Sequence, residues 1–291
     1  MKILNFGSLN IDNVYRVHQI VRPGETISSL GYEIHCGGKG LNQSVALGRA
    51  GMETRHAGVV GTEDGQILLD MLESGNVDTS LVQKIPGKSG HCIIQVDDNG
   101  QNCIFLHGGA NHAVTDAYID QVLGGLGKGD LLLLQNEINA MDRILQKAKE
   151  KELYVILNPS PMNSELMSLD LSGVRMFILN EVEGGDLTGE QEPELILKKM
   201  RQLYPEAEIV LTLGSEGSVY SGMHGTARQE AFRVKAVDTT AAGDTFTGFF
   251  ISEYFSSGDV KKALELASKA SSIAVTKEGA APSIPWRDEL D

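Results

Sequence analysis

The chain has 291 residues, enough for one large domain or for one domain with a small appendage. Its 25 basic and 39 acidic residues give a net charge of −14, which argues against nucleic acid or an anionic membrane as the main partner. No apolar run approaches the roughly 20 residues that a membrane span needs. The N-terminus turns polar too soon for a secretory signal, and Cys36, Cys92 and Cys103 lack metal-ligand spacing, so we expect reduced thiols in a cytoplasmic protein.

In chain order, the first polar signal lies just after the apolar start of the chain. The stretch from Gly7 to Asp12 ends a predicted strand with an amide, Asn10, and a carboxylate, Asp12. Such a pair suits the hydroxyl groups of a sugar. A capped turn would explain the same residues, so both interpretations stay open here.

The segment 36–43 is rich in glycine and leads into a predicted helix. Gly38 and Gly40 let the backbone approach a ligand closely, while Lys39 and Asn42 supply directional donors. A turn followed by a helix N-cap would also account for this pattern.

Residues 13–36 and 89–107 lack helical periodicity and alternate apolar with polar positions, which predicts a small β-sheet. Asn99 and Gly100 fit a hairpin with a type I′ turn. We expect this sheet to be a lid over a binding site, with an edge extension of the main sheet as the alternative. The main domain would then comprise residues 1–12, 37–88 and 108–291.

From about residue 112 onward, short apolar runs typical of buried strands alternate with helical patterns. The runs lie at 131–134, 154–157, 176–179 and 209–213. One of the intervening helices would begin with Asn139 as its N-cap. This alternation predicts an α/β fold, a doubly wound and mostly parallel sheet with helices on both faces, which binds ligands at the carboxyl ends of its strands.

Polar and small residues follow two of these strands. Asn180 and Glu183 could position phosphate and magnesium, the glutamate through water. The loop 212–217 has small residues that could admit a nucleotide. A solvated charge on a helix surface at Glu183 and a plain hairpin turn at 212–217 are the alternatives.

The most informative segment is 237–246, with the sequence VDTTAAGDTF, which leads into a long helix-like stretch. Small residues at a helix start leave backbone N–H groups uncovered, which makes an anion site. The carboxylate of Asp244 beside such a site is suited to take a proton from a hydroxyl that attacks a bound phosphate. A helix N-cap at Asp244 and a turn residue at Asp238 are the alternatives.

Two common nucleotide-binding motifs are missing from the sequence. There is no Walker A motif, and the glycine-rich stretch from Gly125 to Gly129 precedes a strand, which predicts a loop. The first strand–helix turn has no Gly-x-Gly-x-x-Gly, which argues against a dinucleotide oxidoreductase.

The order of these motifs along nearly the whole chain resembles the ribokinase family of carbohydrate kinases, the PfkB type, and its ribokinase branch in particular. The motifs that carry the resemblance lie at 37–42, 180–183, 238–244 and 273–287. The resemblance implies an ATP-dependent sugar kinase that converts D-ribose to D-ribose 5-phosphate with Mg²⁺ and K⁺, and a homodimer formed through the lid. Family members that act on deoxyribose, a ketose or a nucleoside are alternatives, and a non-catalytic sugar- or nucleotide-binding regulator is an alternative of another class.

The resemblance also implies roles for matching residues. Asp244 would be the general base, with an anion hole formed by the N–H groups of Ala241, Ala242, Gly243 and Asp244. The sugar would be held by Asn10, Asp12, Gly38, Lys39, Gly40, Asn42, Glu137 and Asp244. ATP would contact Asn180, Thr212, Gly214, Ser215, Gly217, Gly243 and Ser268. A potassium ion would be held by Asp238, Thr240, Ala274, Lys277, Gly279 and Ser283. Leu41 is bulkier than the residue that the family often has there, so we expect it to alter the fit of the substrate.

Overall fold

The computed structural model describes residues 2–290, which form two β-sheets and nine α-helices. In chain order, the strands are β1 (Lys2–Phe6), β2 (Asn10–Arg16), β3 (Gly31–Gly37), β4 (Glu53–Gly61), β5 (Val77–Ile85), β6 (Gly90–Val96), β7 (Asn102–His107), β8 (Leu131–Gln135), β9 (Tyr154–Asn158), β10 (Val174–Asn180), β11 (Glu208–Thr212), β12 (Ser218–Gly222) and β13 (Gly225–Gln229). The helices are α1 (Lys39–Arg49), α2 (Gln66–Ser74), α3 (Asp116–Gly124), α4 (Met141–Glu150), α5 (Ser164–Met167), α6 (Glu181–Thr188), α7 (Pro193–Leu203), α8 (Ala242–Ser257) and α9 (Val260–Ala274).

The larger sheet has nine strands in the order β13-β12-β11-β10-β9-β8-β1-β4-β5. The seven strands from β11 to β5 in this order are parallel, and β12 and β13 extend the β11 edge as an antiparallel hairpin. The predicted doubly wound, mostly parallel sheet is therefore confirmed. Within residues 2–290, no helix is both long and apolar enough to cross a bilayer.

Two hydrophobic cores lie on opposite faces of this sheet, because successive strand residues point to opposite sides. In β8, Leu131 and Leu133 pack into one core with helices α1, α8 and α9, while Leu132 and Leu134 pack into the other with α3, α4 and α7. Each buried leucine contributes roughly 1.5–3 kcal/mol. The central strands are thus fixed from both sides, and so are the loops at their carboxyl ends.

The smaller sheet has four strands in the order β3-β2-β6-β7. Its strand β2 pairs in parallel with β6 and antiparallel with β3. The sheet begins at Asn10, so residues 10–12 belong to it and not to the main sheet. The sequence placed this boundary after residue 12, three residues into the strand.

The hairpin between β6 and β7 differs from its prediction. A type I′ turn needs positive φ at both central residues. Here the N–H of Gly100 donates to the carbonyl of Asp97 (2.9 Å), and only Gly100 is left-handed, with φ of 75°. The Asp97 carboxylate accepts the N–H groups of Asn99 and Gln101, which stabilises a three-residue loop instead. The predicted type I′ turn was wrong.

The start of α4 also differs from its prediction. The helix begins at Met141, and its N-cap is Ala140, which is left-handed and makes no side-chain cap. The side chain of Asn139 instead bonds to the N–H (3.0 Å) and the carbonyl (2.9 Å) of Val114. This tertiary contact occupies both ends of the amide, so the predicted N-cap at Asn139 was wrong.

Candidate active site

Two neighbouring cavities, which share several lining residues, lie where the parallel strands of the main sheet end. The larger has a volume of about 810 Å³ and the smaller about 240 Å³. Both are lined by Asn180 and Thr212, at the ends of β10 and β11, and by Gly243 at the start of α8. The smaller cavity also reaches Lys39 and Asp244, so it joins the larger cavity to the predicted base.

The start of α8 provides uncovered N–H groups. Its N-cap, Ala241, is left-handed with φ of 59°. The N–H of Ala242 donates to the carbonyl of Thr239 (3.2 Å). Within the described part of the chain, the N–H groups of Ala241, Gly243 and Asp244 have no protein acceptor. Three of the four predicted anion-hole donors are therefore free, and the fourth is engaged in the turn.

Asp244 is buried and held by two side chains from α1. Its exposed fraction is only 7%. Asn42 Nδ2 donates to one carboxylate oxygen (3.0 Å), and Gln43 Nε2 donates to the other (2.9 Å). Because each oxygen accepts an N–H, the carboxylate is held in one orientation. Asn42, predicted to bind the sugar, thus also orients Asp244, and its buried Oδ1 has no partner within residues 2–290.

The glycine-rich turn brings α1 against the loop that follows β1. Gly38 is left-handed with φ of 91°, and a Cβ on Gly40 would lie 2.3 Å from the backbone nitrogen of Ser8. The N–H of Gly40 donates to Ser8 Oγ (3.2 Å), and its carbonyl accepts Asn5 Nδ2 (2.8 Å). The N–H and the carbonyl of Gly40 are therefore both bonded to other protein groups. The role that the structure indicates for Gly40 is to let α1 pack closely against the loop after β1.

Glu137 lies beside this turn. One carboxylate oxygen accepts the N–H of Lys39 (2.8 Å) and the hydroxyl of Ser8. Burial raises the pKa of the Glu137 carboxyl. Ser8 therefore links the two predicted sugar-binding segments, a role that the sequence did not reveal.

The ammonium group of Lys39 lies among three carboxylates. Burial by itself would lower the pKa of Lys39, but the charges of Asp244, Glu137 and Glu183 outweigh it and hold the pKa above its usual value. Lys39 is thus kept positively charged at the wall of the smaller cavity, where it can stabilise a phosphoryl group.

The small sheet contributes Asn10 and Asp12 from strand β2. Asn10 Oδ1 accepts Asn111 Nδ2 (2.7 Å), which fixes the orientation of the Asn10 amide. Asp12 Oδ1 is buried and has no hydrogen-bond partner within residues 2–290. Burial raises the pKa of the Asp12 carboxyl to about 6, and the charge of Glu137 adds to this effect. An acceptor in this position is suited to the hydroxyl of a ligand.

The larger cavity is lined by all seven residues predicted to contact ATP. They are Asn180, Thr212, Gly214, Ser215, Gly217, Gly243 and Ser268. Its apolar walls include Phe232, Val234, Phe246 and Val275, which the sequence did not reveal. Phe232 and Val234 belong to an irregular segment between β13 and α8, so no periodic pattern marked them.

Asn180 and Glu183 form a capping box at the start of α6. Asn180 Oδ1 accepts the N–H of Glu183 (2.9 Å), and Glu183 Oε2 accepts the N–H of Asn180 (3.0 Å). Glu183 is 7% exposed and lines the smaller cavity. The alternative of a solvated helix-surface charge is therefore wrong. The other carboxylate oxygen has no hydrogen bond to the described residues.

Hydrogen bonds join part of the predicted potassium ligands. The Asp238 carboxylate accepts the N–H of Thr240 (2.9 Å), its hydroxyl (2.6 Å) and the N–H of Gly279 (2.9 Å). Burial would raise the pKa of Asp238, but these hydrogen bonds outweigh it and lower the pKa. The segment 237–238 also donates two N–H groups to the carbonyl of Val275.

The remaining predicted ligands lie in the adjoining C-terminal segment. The carbonyl of Ala274 accepts the N–H of Lys277 (3.0 Å), and Ser283 Oγ donates to the carbonyl of Ala280 (2.7 Å). No hydrogen bond within the described residues joins Ser283 to Asp238. Across residues 2–290, no group of three or more His, Cys, Asp or Glu side chains is arranged to hold a metal ion.

Leu41 lies away from the cavities. Its side chain has no exposed surface and packs in the core formed with α8 and α9. The expectation that its bulk alters the fit of the substrate was therefore wrong.

Known proteins are similar to this chain in sequence and in fold. Residues 1–287 match the family described as pfkB family carbohydrate kinase. A ribokinase from Haemophilus influenzae is 33% identical over 295 residues, which cover 97% of this chain and 95% of that protein. A deoxyribokinase from Salmonella typhi is 32% identical over 299 residues, which cover 100% and 98%. The structure of Arabidopsis thaliana ribokinase complexed with ribose and ATP is 26% identical with a TM-score of 0.86, and the match covers 99% of this chain and 96% of that one.

Proposed function

This chain belongs to the pfkB family of carbohydrate kinases, and we propose that it transfers the terminal phosphoryl group of ATP to the primary hydroxyl of D-ribose. The observation that carries this proposal is the position of Asp244. Its buried carboxylate lies beside three free N–H groups, at the junction between the larger cavity and the residues predicted to hold the sugar.

In the proposed reaction, Asp244 accepts the proton of the ribose hydroxyl while that oxygen bonds to the terminal phosphorus of ATP. The bond from this phosphorus to the bridging oxygen breaks, and ADP leaves. An ordinary Asp has a pKa near 3.9 and is a poor base in water, so positioning must supply much of the rate. The free N–H groups of Ala241 and Gly243, with Lys39, would stabilise the charge that builds on the phosphoryl oxygens.

We propose that the sugar lies between strand β2 and the start of α1. Asp12 Oδ1 and Asn42 Oδ1 are buried acceptors without partners in the described chain, and sugar hydroxyls would supply the missing donors. Glu137 lies next to Lys39 and would accept a further hydroxyl. This set of acceptors suits a polyhydroxylated substrate.

The residues present fit two metal ions that the resemblance implies. Glu183 has a carboxylate oxygen free of protein hydrogen bonds at the smaller cavity, and oxygen ligands are those that Mg²⁺ prefers. Mg²⁺ bound near Asn180 and Glu183 would neutralise phosphate charge. Asp238 has no ion-pair partner among the described residues, and K⁺ held there with Ser283 and the carbonyls of the adjoining segment would order the loop beside the anion hole.

We also propose that the small sheet is a lid that pairs with its copy in a homodimer. Residues directly opposite each other across neighbouring strands share a face. Ile34, Ile93 and Phe105 lie on the face opposite Asp12, with exposed fractions of 50%, 43% and 61%. Exposed apolar side chains on one face of a sheet are typical of an interface, and the edge strands β3 and β7 would favour pairing. The three free cysteines are in keeping with a cytoplasmic location.

The test is phosphoryl transfer from ATP to a panel of acceptors that includes D-ribose, 2-deoxyribose, a ketohexose and nucleosides, each with K⁺ and with Na⁺. We expect the highest kcat/KM with ribose and faster turnover in K⁺. If kcat/KM is higher with deoxyribose than with ribose, deoxyribose is the preferred substrate, as the name of the Salmonella relative suggests for that protein. Turnover on no acceptor would contradict the kinase proposal and favour a binding protein.

A further inference from the structure

A chain of buried amide side chains leads from Asp244 into the core between the sheet and α1. It begins at Gln43, whose Nε2 donates to Asp244 Oδ1 (2.9 Å) and to Asn158 Oδ1 (3.1 Å). Gln43 Oε1 accepts Gln135 Nε2 (2.7 Å). Gln43 is 1% exposed and Gln135 is fully buried, so the two glutamine side chains have little or no surface open to solvent.

The chain continues through residues that the proposed reaction does not use. Gln135 Nε2 also donates to Asn5 Oδ1 (3.0 Å), and Asn5 Nδ2 donates to Ser44 Oγ (2.8 Å). Ser44 Oγ also lies 2.8 Å from His56 Nδ1, and it donates its proton there in the tautomer whose Nδ1 is unprotonated. Burial lowers the pKa of His56 to about 4, so the imidazole is neutral and can accept.

Two backbone carbonyls fix the direction of these amides. A carbonyl can only accept, so an amide that bonds to it must present its NH₂ end. Asn158 Nδ2 donates to the carbonyl of Ile178 (2.8 Å), and Asn5 Nδ2 donates to the carbonyl of Gly40 (2.8 Å). The oxygens of Asn158 and Asn5 must then face the two glutamines of the chain.

The orientation of Gln43 follows from these two fixed ends. Asn5 requires a donor from Gln135, and that donor group also faces Gln43, which must present its oxygen there. The NH₂ group of Gln43 is left for Asn158 and Asp244. Rotating the Gln43 amide by 180° would oppose oxygen to oxygen at Asn158 and Asp244, and NH₂ to NH₂ at Gln135.

We propose that Gln43 is a positioning residue for the base, held by the chain of Gln135, Asn5 and Ser44 so that it always presents an N–H to Asp244. This inference rests on the proposed role of Asp244 as the base. Together with Asn42, this contact fixes the rotamer of the Asp244 carboxylate, so that the same oxygens always face the substrate side.

The test compares Gln43→Met, which removes the amide at similar volume, with Gln43→Glu, which keeps the shape and adds a negative charge. For each variant, kcat, the KM for ribose and for ATP, and the pH dependence of kcat/KM would be measured. Loss of an N–H from a carboxylate raises its pKa. For Gln43→Met, we expect kcat to fall about 10- to 100-fold, with both KM values nearly unchanged. This loss is at or below the lower end of the roughly 10²- to 10⁴-fold contribution of general base catalysis, because Asp244 itself remains. The acidic limb of the profile should move to higher pH in both variants, and further in Gln43→Glu because of charge repulsion.

Two further variants keep the result interpretable. Gln135→Met removes the donor that orients Gln43, and it should shift the acidic limb less than Gln43→Met does. Gln146→Met changes an exposed glutamine of α4 and should leave kcat and the profile as in the wild type.

The outcomes separate this inference from the proposed function. If Asp244→Asn is inactive while both Gln43 variants keep the wild-type kcat and acidic limb, Gln43 has no positioning role although the base stands. If Gln43→Met only lowers the melting temperature and leaves the acidic limb in place, its role is structural and the inference fails. Near-normal turnover of Asp244→Asn would overturn the base and this inference together.

Discussion

The two halves of the candidate site are built in different ways. The half around Asp244, Asn42 and Glu137 consists of buried or half-buried polar side chains that are held by hydrogen bonds to neighbouring protein groups. The half around the larger cavity consists of small residues, free N–H groups and apolar walls such as Phe232 and Phe246. Because buried hydrogen-bonded groups are held in one orientation, the first half is preorganised for chemistry. The second half selects its ligand by shape and by backbone donors. Substitutions in the first half should therefore act on turnover and sugar binding, and those in the second on the KM for ATP.

The largest effect on kcat is expected at Asp244, the proposed general base in the preorganised half. Asp244→Asn keeps the shape of the side chain and removes the proton acceptor, so kcat should fall about 10³-fold, within the range for general base catalysis. The melting temperature should stay close to the wild-type value. Asp116→Asn, at an exposed acidic residue in the first turn of α3, is the matched control and should keep full activity. If the Asp244→Asn enzyme were active, Asp244 would not be the base, and its role would be that of a helix-capping residue.

A smaller effect is expected at Asp12, where binding and stability should change in opposite directions. Asp12→Asn should lower kcat/KM for ribose about 10²-fold, as expected when a charged acceptor is lost at roughly 1.5–3 kcal/mol. In the wild type, the KM for ribose should rise as the pH falls through about 6, the pKa of Asp12.

The stability of the sugar-free protein gives an independent check. The pKa of Asp12 is raised in the folded state, so its favourable contribution is complete below the unfolded pKa and is lost as the pH rises through about 6. Above this pH, Asp12→Asn should be more stable than the wild type by up to about 3 kcal/mol, since one pKa unit corresponds to 1.36 kcal/mol. Chemical denaturation at pH 4 and pH 8 measures this. An equal difference at both pH values would contradict it, and Asp142→Asn, at an exposed position of α4, is the control.

In the nucleotide half, Gly243→Ala should raise the KM for ATP about tenfold and leave the KM for ribose unchanged. A Cβ at Gly243 would meet no protein atom within 4 Å. Because Gly243 lines both cavities and its N–H is free, we expect the added methyl group to take up ligand space beside this donor. Loss of one bond to a charged group costs about 1.5 kcal/mol or more. Gly124→Ala in α3 also meets no protein atom and is the matched control. Both variants should melt at or above the wild-type temperature, since alanine favours a helix by about 1 kcal/mol over glycine. A changed KM for ribose alone would show that the two halves are not separate.

The smallest effect is expected at the lid, outside both halves. Phe105→Asp places an unpaired charge on the exposed apolar face and should convert a dimer to a monomer, because an uncompensated charge is costly to bury. The loss in kcat/KM should be a few-fold at most, since Phe105 lies outside both halves. Analytical ultracentrifugation measures the mass. Met223→Asp replaces a residue that is 74% exposed in the turn between β12 and β13, and it should not change the mass. If the wild-type protein sediments as a monomer, the proposed homodimer is wrong.

Much of the fold could be predicted from the sequence because its signals are local. Four leucines in a row, Leu131 to Leu134, predict a strand buried on both faces, and the two cores divide them accordingly. The segment 237–246 likewise predicted a helix start with uncovered N–H groups, and α8 begins there. The elements whose prediction failed, the turn at Asn99-Gly100 and the N-cap at Asn139, are those in which a particular side-chain contact competes with an intrinsic preference.

The contacts that hold the predicted base could not be predicted in this way. Gln43 and Asp244 are 201 positions apart, and Gln135 and Asn5 are 130 apart. Nothing in the spacing of these residues pairs them, and their signals in the sequence are weak. Gln135 and Asn158 each end a strand, and Gln43 follows Asn42 in the glycine-rich segment.

The sequence by itself determined the layered α/β architecture and the kinase family, because periodicity, glycine position and short motifs act within a few residues of one another. Only the tertiary structure decided that Leu41 fills the core, that Gly40 serves packing, and that the amide of Gln43 points its NH₂ group at Asp244. These outcomes depend on which distant groups meet when the strands assemble, and the direction of a buried amide is set by partners that the chain brings together only on folding.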